Sequence, residues 1–476
     1  MSAFSEMLQS EIDSNNLSAM RISACTNISR PTVAKIINGQ RLPTMEELVS
    51  IMALMPLTVS KRVSLMEELD NLRFGNGIYS SLKSALSKME RLPVAYKTDG
   101  AYKESTEITY PENGILMINS RPELLYYALA ALKTEIKNHS CPTVYTNTTR
   151  NYSILQENMV GLLVDADGKI NFKICTQITK GTKKGSVENF EQLFDWTPFF
   201  MSNCDILYEY SPELTDVVPF GFTDYLVLSD VVIFANERLD KAMFITDKKT
   251  VEEVKTMCTG RMYGMKSLVR RCADVFEFFE FLKNTAMRVS YANYMQFAPC
   301  VIPFLEYEEA KTVARLEIPE VAAILPDIFE YYRKFISCVK KGAFTQKGIE
   351  DFLRNGKLFE IPEEYVNPVP KELRCKLLYR MLDMMENGNT DFRIINENFL
   401  KYPENACIEY VKDLQLVFTY KGNEKDDFSG RVSVVTAEAT LLEEAASFFD
   451  NLFESRYLYT RKQSIDIFKR CLNDAE

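Results

Sequence analysis

The stretch whose reading decides the N-terminal fold is Leu17-Ser18-Ala19-Met20-Arg21-Ile22-Ser23-Ala24-Cys25-Thr26-Asn27-Ile28-Ser29-Arg30-Pro31-Thr32-Val33-Ala34-Lys35-Ile36-Ile37-Asn38-Gly39. Ser18 and Ser29 each carry a short side-chain oxygen that can cap a helix by accepting a first-turn N–H. Ile22 and Cys25 supply inward residues for one helix; Val33, Ile36 and Ile37 supply them for the next. Pro31 suits a first turn, where N–H groups have no helical partner. Asn27 stands where a turn calls for a residue that tolerates positive φ, the place Gly usually takes. Asn38-Gly39 closes the second helix. The spacing predicts two short helices and a tight turn, a geometry that can present the second helix to a DNA major groove.

This segment resembles the phage-repressor-like (XRE-type) helix-turn-helix regulators. The resemblance continues through Gln40-Arg41-Leu42-Pro43-Thr44 into a helix over Met45–Leu54, and covers residues 4–69. It departs at Asn27, where Gly is usual, and at Met20-Arg21, where a polar or acidic pair is usual. It implies that Arg30, Pro31, Thr32 and Lys35 face base edges or nearby phosphates, with Ser29 capping their helix. It also implies that Ser18, Ala19, Asn38 and Arg41 lie near the sugar-phosphate backbone. The partner implied is double-stranded DNA.

Charge bears on the same segment. Residues 17–45 hold Arg21, Arg30, Lys35 and Arg41 and no acid, a local +4. Residues 1–72 hold six basic and eight acidic residues, net −2, and the whole chain is −10. A cationic nucleic-acid coat is excluded, and any DNA contact is local. So small a positive face binds modestly by itself, which predicts a homodimer with recognition helices about 34 Å apart. The apolar stripes that could pair two copies are Ile78, Leu82, Ala85, Leu86 and Met89 on one helix, and Leu441, Ala445, Phe448, Phe449 and Leu452 on another.

Beyond this module the chain is long: 476 residues, enough for two to four domains. Apolar residues are 46% and charged residues 26%, a globular mix. The expected class is multidomain. An all-α helix-turn-helix domain over 1–72 leads through a linker helix over 73–95 to an α/β sensor domain over 96–250. A mainly α region with a hairpin over 251–476 serves sensing or dimerisation. Leu162–Val164, Asp165-Ala166-Asp167-Gly168 and Ile170–Ile174 read as a β-hairpin, and Tyr225–Leu228, Val231–Ala235 and Lys241–Thr246 as a meander. Apolar spacing from Leu325 to Val339 predicts a helix with Pro326 at its start and Gly342 just past its end. Leu414–Tyr420 and Arg431–Thr436 read as a second hairpin. No internal repeat of fixed period is evident.

The remaining candidates are weak as chemistry. His139 is the one histidine, which excludes mechanisms needing two. His139 and Cys141 lack an orienting group, so a helix-end histidine is the better reading. There is no CxxC among the 11 cysteines. An EF-hand starting at Asp165 would need Gly and Glu where Ile170 and Thr176 stand. Gly181-Thr182-Lys183-Lys184-Gly185 is a basic loop and no Walker A. Trp196 with Phe194, Phe199 and Phe200 could line an aromatic pocket, though core packing is the default. No apolar run spans a bilayer and Met1–Ser10 has no signal-peptide pattern, which predicts a cytoplasmic protein.

These readings predict a bacterial, sequence-specific DNA-binding transcriptional regulator that responds to a small-molecule or peptide effector. No catalytic residue, metal site or cofactor is expected. The alternatives are a phage-defence or antitoxin-like protein that uses the module for autoregulation, and an enzyme with a DNA-targeting appendage. The later regions resemble sensor regions of bacterial regulators, some of which resemble phospholipase D folds. The HxK motif of those enzymes is absent, because His139 is followed by Ser140-Cys141.

Overall fold

A computed structural model describes residues 2–90, 114–147, 170–180, 185–200, 203–210, 221–272, 274–388, 390–421 and 431–475. Among these residues the chain forms 16 helices and two mixed β-sheets. The hairpin tip at Asp165–Gly168 and most of the basic loop at 181–185 lie outside the described residues.

The N-terminal unit comprises five helices: α1 (Ala3–Ser14), α2 (Ala19–Cys25), α3 (Arg30–Ile37), α4 (Met45–Met52) and α5 (Val59–Phe74). Each begins where a hydroxyl can cap it. Ser2, Ser18, Ser29, Thr44 and Thr58 all accept a first-turn N–H, and Thr44 forms a reciprocal capping box with Glu47. Phe4, Leu8, Ile22, Val33, Ile36, Leu48 and Leu69 make its core.

Helix α6 (Asn76–Glu90) covers the Ile78–Met89 stretch. It is docked as well as connecting. Leu82, Ala85, Leu86 and Met89 are buried in the large central core, and Lys88 pairs with Glu191 at 2.9 Å and Asp195 at 2.7 Å.

The first sheet has the order β1-β7-β6-β5-β2-β3-β4-β8. Its strands are β1 (Ile115–Ile118), β2 (Thr143–Asn147), β3 (Asn171–Gln177), β4 (Asn203–Glu209), β5 (Asp224–Val227), β6 (Val232–Ala235), β7 (Ala242–Ile245) and β8 (Lys266–Ser267). Between them run α7 (Arg121–Asn138), α8 (Glu188–Phe200) and α9 (Lys248–Met262). The β5–β7 meander forms as the sequence predicts. Of the hairpin read around residue 165, only the Ile170–Ile174 arm is among the described residues. β3 lies between β2 and β4, parallel to both, so neither of its edges is open to a hairpin partner.

The C-terminal region departs most from expectation. Besides its helices and the expected hairpin it holds a seven-stranded sheet, β12-β11-β10-β13-β14-β15-β9. The strands are β9 (Arg270–Cys272), β10 (Ala292–Gln296), β11 (Val339–Phe344), β12 (Asp391–Ile394), β13 (Ala406–Val411), β14 (Gln415–Lys421) and β15 (Arg431–Thr436). Its helices are α10 (Val275–Thr285), α11 (Tyr307–Val313), α12 (Pro319–Cys338), α13 (Gln346–Asn355), α14 (Lys371–Glu386), α15 (Ala439–Glu454) and α16 (Arg461–Asn473). β10 and β13 are buried at every position, so they lack the alternation that marks a strand in sequence. Helix α12 starts at Pro319 with Pro326 inside it, and Gly342 belongs to β11.

The two sheets share one topology. With β8 set aside, adding eight to each strand number of the first sheet reproduces the second, including four antiparallel and two parallel pairings in the same places. The repeat has no fixed period in sequence because the insertions differ: α11 and α12 join β10 to β11, and α13 and α14 join β11 to β12.

One apolar core joins the halves and takes in residues of α6, α7, α8 and α15 with the facing sides of both sheets. A second fills the outer face of the C-terminal sheet beneath α10, α12, α14 and α16. The Leu441–Leu452 stripe is buried in the first of these cores. It and the α6 stripe are therefore occupied within one chain, and are not the free surfaces a dimer through them would need.

Candidate nucleic-acid face and enclosed polar centre

The turn between α2 and α3 is held by Thr26. Its hydroxyl donates to the Ile22 carbonyl at 2.8 Å and accepts the Ile28 N–H at 3.3 Å. Asn27 is not in the left-handed region, so the expectation of positive φ there is corrected; the hydroxyl bridge makes the turn without it. Gly39 does take φ +68° at the end of α3. Ser18 accepts the Arg21 N–H at 3.2 Å, and Ser29 accepts the Thr32 N–H at 3.4 Å while donating to the Thr32 hydroxyl at 2.9 Å.

All nine residues singled out in this segment reach the surface. Ser18, Ser29, Arg30, Pro31, Lys35, Asn38 and Arg41 are exposed; Ala19 and Thr32 are half-buried. Arg41 pairs with Glu47 at 3.0 Å. Among the described residues Arg21, Arg30 and Lys35 make no ion pair, which leaves three cations open to an anionic partner.

The other sequence candidates resolve as structure. His139 meets Asp230 at 3.1 Å. Cys141 is exposed at φ +55°, and no pairing with His139 forms. Trp196 is 1% exposed and sits with Phe194 in the central core, so its surroundings are packing and not a pocket. Among the described residues no group of His, Cys, Asp and Glu could hold a metal ion.

Sequence reasoning missed a polar centre beneath the C-terminal sheet. Register places Gln296, Cys407, Thr419, Ser433 and Cys272 side by side across five strands, all on one buried face. The next row on that face runs Gly342, Tyr294, Glu409, Val417, Val435 and Arg270. The Gln296 amide donates to Glu360 at 3.0 Å, and the Cys407 thiol donates to the Gln296 carbonyl oxygen at 3.3 Å. Burial, with the charge of Glu360 beside it, holds the Cys300 thiol well above its ordinary range. Burial and the Glu409 charge do the same to the Tyr331 hydroxyl. The centre lies at the carboxyl end of β10, where the sheet turns from parallel neighbours on one side to antiparallel on the other, a place where open α/β sheets bind ligands. The signal in the sequence was Gln415 and Thr419, four apart and separated by Leu416, Val417 and Phe418, with Cys407 and Glu409 before them.

A charged junction joins the N-terminal unit to the body. The Arg456 guanidinium meets Glu67 at 3.4 Å, and its backbone N–H donates to Asp70 at 3.4 Å. Arg73 donates to the Pro43 carbonyl at 2.6 Å and pairs with Glu454 at 3.6 Å. Burial pushes the Asp70 carboxyl up to about 7, against the opposing pull of Arg456 and Arg73.

No family model and no curated protein matches this chain. Solved structures resemble it at low identity. A phosphatidylserine synthase from Haemophilus influenzae Rd KW20 is 11% identical, covering 76% of this chain and 92% of that one, with a TM-score of 0.25. TrmBL2, an archaeal chromatin protein described as having a novel mode of DNA binding, is 11% identical over 53% and 88%, with a TM-score of 0.23. A polyphosphate kinase from Porphyromonas gingivalis is 7% identical over 76% and 56%, with a TM-score of 0.23. The expectation of a transcriptional regulator is corrected here: two of these likenesses, each over 76% of this chain, are to enzymes. At these scores no activity or substrate passes to this chain.

Proposed function

We propose that the chain docks on duplex DNA through α2 and α3, and that docking delivers the two-sheet body to DNA, as in an enzyme with a DNA-targeting appendage. The observation that carries the docking is that Arg21, Arg30 and Lys35 are exposed on two capped helices and, among the described residues, make no ion pair. Cations of this kind exchange counterions with phosphates and supply most of the sequence-independent affinity for DNA. What favours a working body is the polar centre. An apolar core does not require carboxylates, thiols and a phenol gathered at the carboxyl end of one strand.

Under this reading the protein works where DNA is, in the cytoplasm. Among the described residues no helix is long and apolar enough to cross a membrane, and the 11 cysteines form no disulfide. The test is fluorescence anisotropy of the full chain with a mixed-sequence duplex. Arg30→Ala combined with Lys35→Ala should weaken binding by about tenfold or more at low salt. Equal affinity of the double variant and the parent refutes the docking face.

A further inference from the structure

We propose that the N-terminal helical unit is hinged to the body at Gly75 and latched to it by Asp70, so that ionisation of this one carboxyl lets the whole unit swing away. The unit has a core of its own. Its apolar cluster draws on residues from Phe4 to Leu69, and none of them belongs to the cluster between the sheets, which takes in α6 from Tyr79 onward. Phe74, the last residue of α5, packs against that second cluster. Gly75 follows it at φ +76°, and α6 starts at the next residue. A Cβ built at Gly75 would meet nothing within 4 Å. A glycine in open space between two helices can change φ and ψ at little cost, which is what a hinge requires.

The latch is polar and long-bonded. Asp70 is fully buried, yet one of its oxygens takes the Arg456 N–H at 3.4 Å and the other has no hydrogen-bond partner among the described residues. The Arg456 guanidinium reaches the Val63 carbonyl at 3.5 Å and Glu67 at 3.4 Å, and its Nε–H is also buried without a partner. Arg73 pairs with Glu454 at 3.6 Å. Bonds of this length are weak. The contact that joins the two sheets is shorter, with Glu444 accepting the Asn189 N–H at 2.6 Å.

The charged and titratable groups around Asp70 are Glu67 and Arg73 on α5, Tyr79 and Lys83 on α6, and Glu454, Arg456 and Tyr457 of the body. Helices α1 and α4 also pack on α5; Glu11 of the first is paired with Lys61, and Glu47 of the second with Arg41. The two cations that oppose a buried charge on Asp70, Arg456 and Arg73, are already engaged by Glu67 and Glu454. An ionised Asp70 is therefore unfavourable while the unit is seated and costs little once water reaches it. Burial raises this carboxyl to about 7 in the seated chain. In water it returns to the ordinary value of about 4. The latch is thus firm below about pH 4, loosens by about tenfold per pH unit from there, and is weakest above about 7.

Small-angle scattering and hydrogen exchange of the full chain at pH 5 and pH 8.5 test this, with exchange corrected for its intrinsic pH dependence. At the higher pH the radius of gyration should increase, and Val63–Asp70 should lose protection by about tenfold or more. Strands β13 and β14 should keep their protection, and Trp196 emission should not move. Asp70→Asn carries no charge at either pH, and should keep both the compact scattering and the protection of α5. Should this variant fail to fold, the exchange profile of the parent decides alone. A parent whose α5 protection is the same at the two pH values, a folded Asn variant that opens as the parent does, or loosening of β13 and β14 in step with α5 overturns the proposal. It does not depend on the DNA-docking reading: Arg30→Ala with Lys35→Ala should leave the pH response intact, so failure of the docking face and failure of the latch are told apart.

Discussion

The backbone N–H of Arg456 donates to the Asp70 carboxylate at 3.4 Å, and this contact ties α5 of the N-terminal unit to the segment that follows α15. Asp70 is fully buried, and its other oxygen has no partner. The Arg456 guanidinium is meanwhile held by Glu67 and lies 5.1 Å from the Phe399 ring. The N-terminal unit is therefore seated on the body through charge as well as apolar contact.

Protonation of Asp70 should govern how firmly that seat holds. Its carboxyl is raised from 3.8 to about 7, chiefly by burial. The folded chain thus binds this proton more tightly than the unfolded chain does. The stabilisation is complete below about pH 4 and is lost as the pH climbs through about 7. Relative to Asp70→Asn, the parent should lose up to about 4 kcal/mol between those limits. Urea unfolding of both proteins at pH 4.5 and pH 8 measures it; parallel stabilities at the two values contradict the assignment.

DNA affinity should fall with salt in a way that counts the cations. If Arg21, Arg30 and Lys35 each neutralise one phosphate, the slope of log K against log salt is about −3, and Arg30→Ala with Lys35→Ala reduces it by about two. Anisotropy titrations across a salt series give both slopes. An unchanged slope in the double variant places the phosphate contacts elsewhere.

Glu444 should hold the halves together. On α15, it accepts the backbone N–H groups of Asn189 and Phe190 at 2.6 Å and 2.9 Å and the Asn189 amide at 2.7 Å. A carboxylate at the first turn of α8 also meets the favourable end of that helix's dipole. Glu444→Gln should cost about 1.5–3 kcal/mol. Chemical denaturation reads this loss, and a variant as stable as the parent removes the argument.

Gly342 should tolerate no side chain. A Cβ there would lie 2.5 Å from the Phe392 ring and 2.8 Å from the Tyr294 ring, both buried. Gly342→Ala should destabilise by about 1–3 kcal/mol through overpacking. A melting temperature equal to the parent's would show that the rings can move apart.

Trp196 should be silent to DNA. It is the one tryptophan of the chain and is buried in the central core, remote in sequence from the docking face. Its emission should be short-wavelength, weakly quenched by acrylamide, and unchanged when duplex is added. A DNA-induced shift would mean that docking repacks the core between the sheets.

The local events were legible because local chemistry decides them. Ser18, Ser29 and Gly39 mark the helix ends of the first unit in sequence and in space. The β5–β7 meander and the β14–β15 hairpin also follow from neighbouring residues. Asn27 misled because the hydroxyl of Thr26, one position earlier, makes the turn instead.

What the residues determined alone is therefore the set of elements whose stabilising partners lie within a few positions: caps, turns, amphipathic helices and antiparallel neighbours. The tertiary structure alone decided the parallel pairings of β2 with β3 and β10 with β11, the doubled topology, and the gathering of Gln296, Glu360, Cys407 and Glu409. A parallel strand needs a crossover of a dozen residues or more, and a strand buried on both faces carries no period-two signal. Gln296 and Cys407 stand 111 positions apart and meet only because β10 and β13 pair in register. That register is set by packing on both faces of the sheet, which no local pattern in the chain contains.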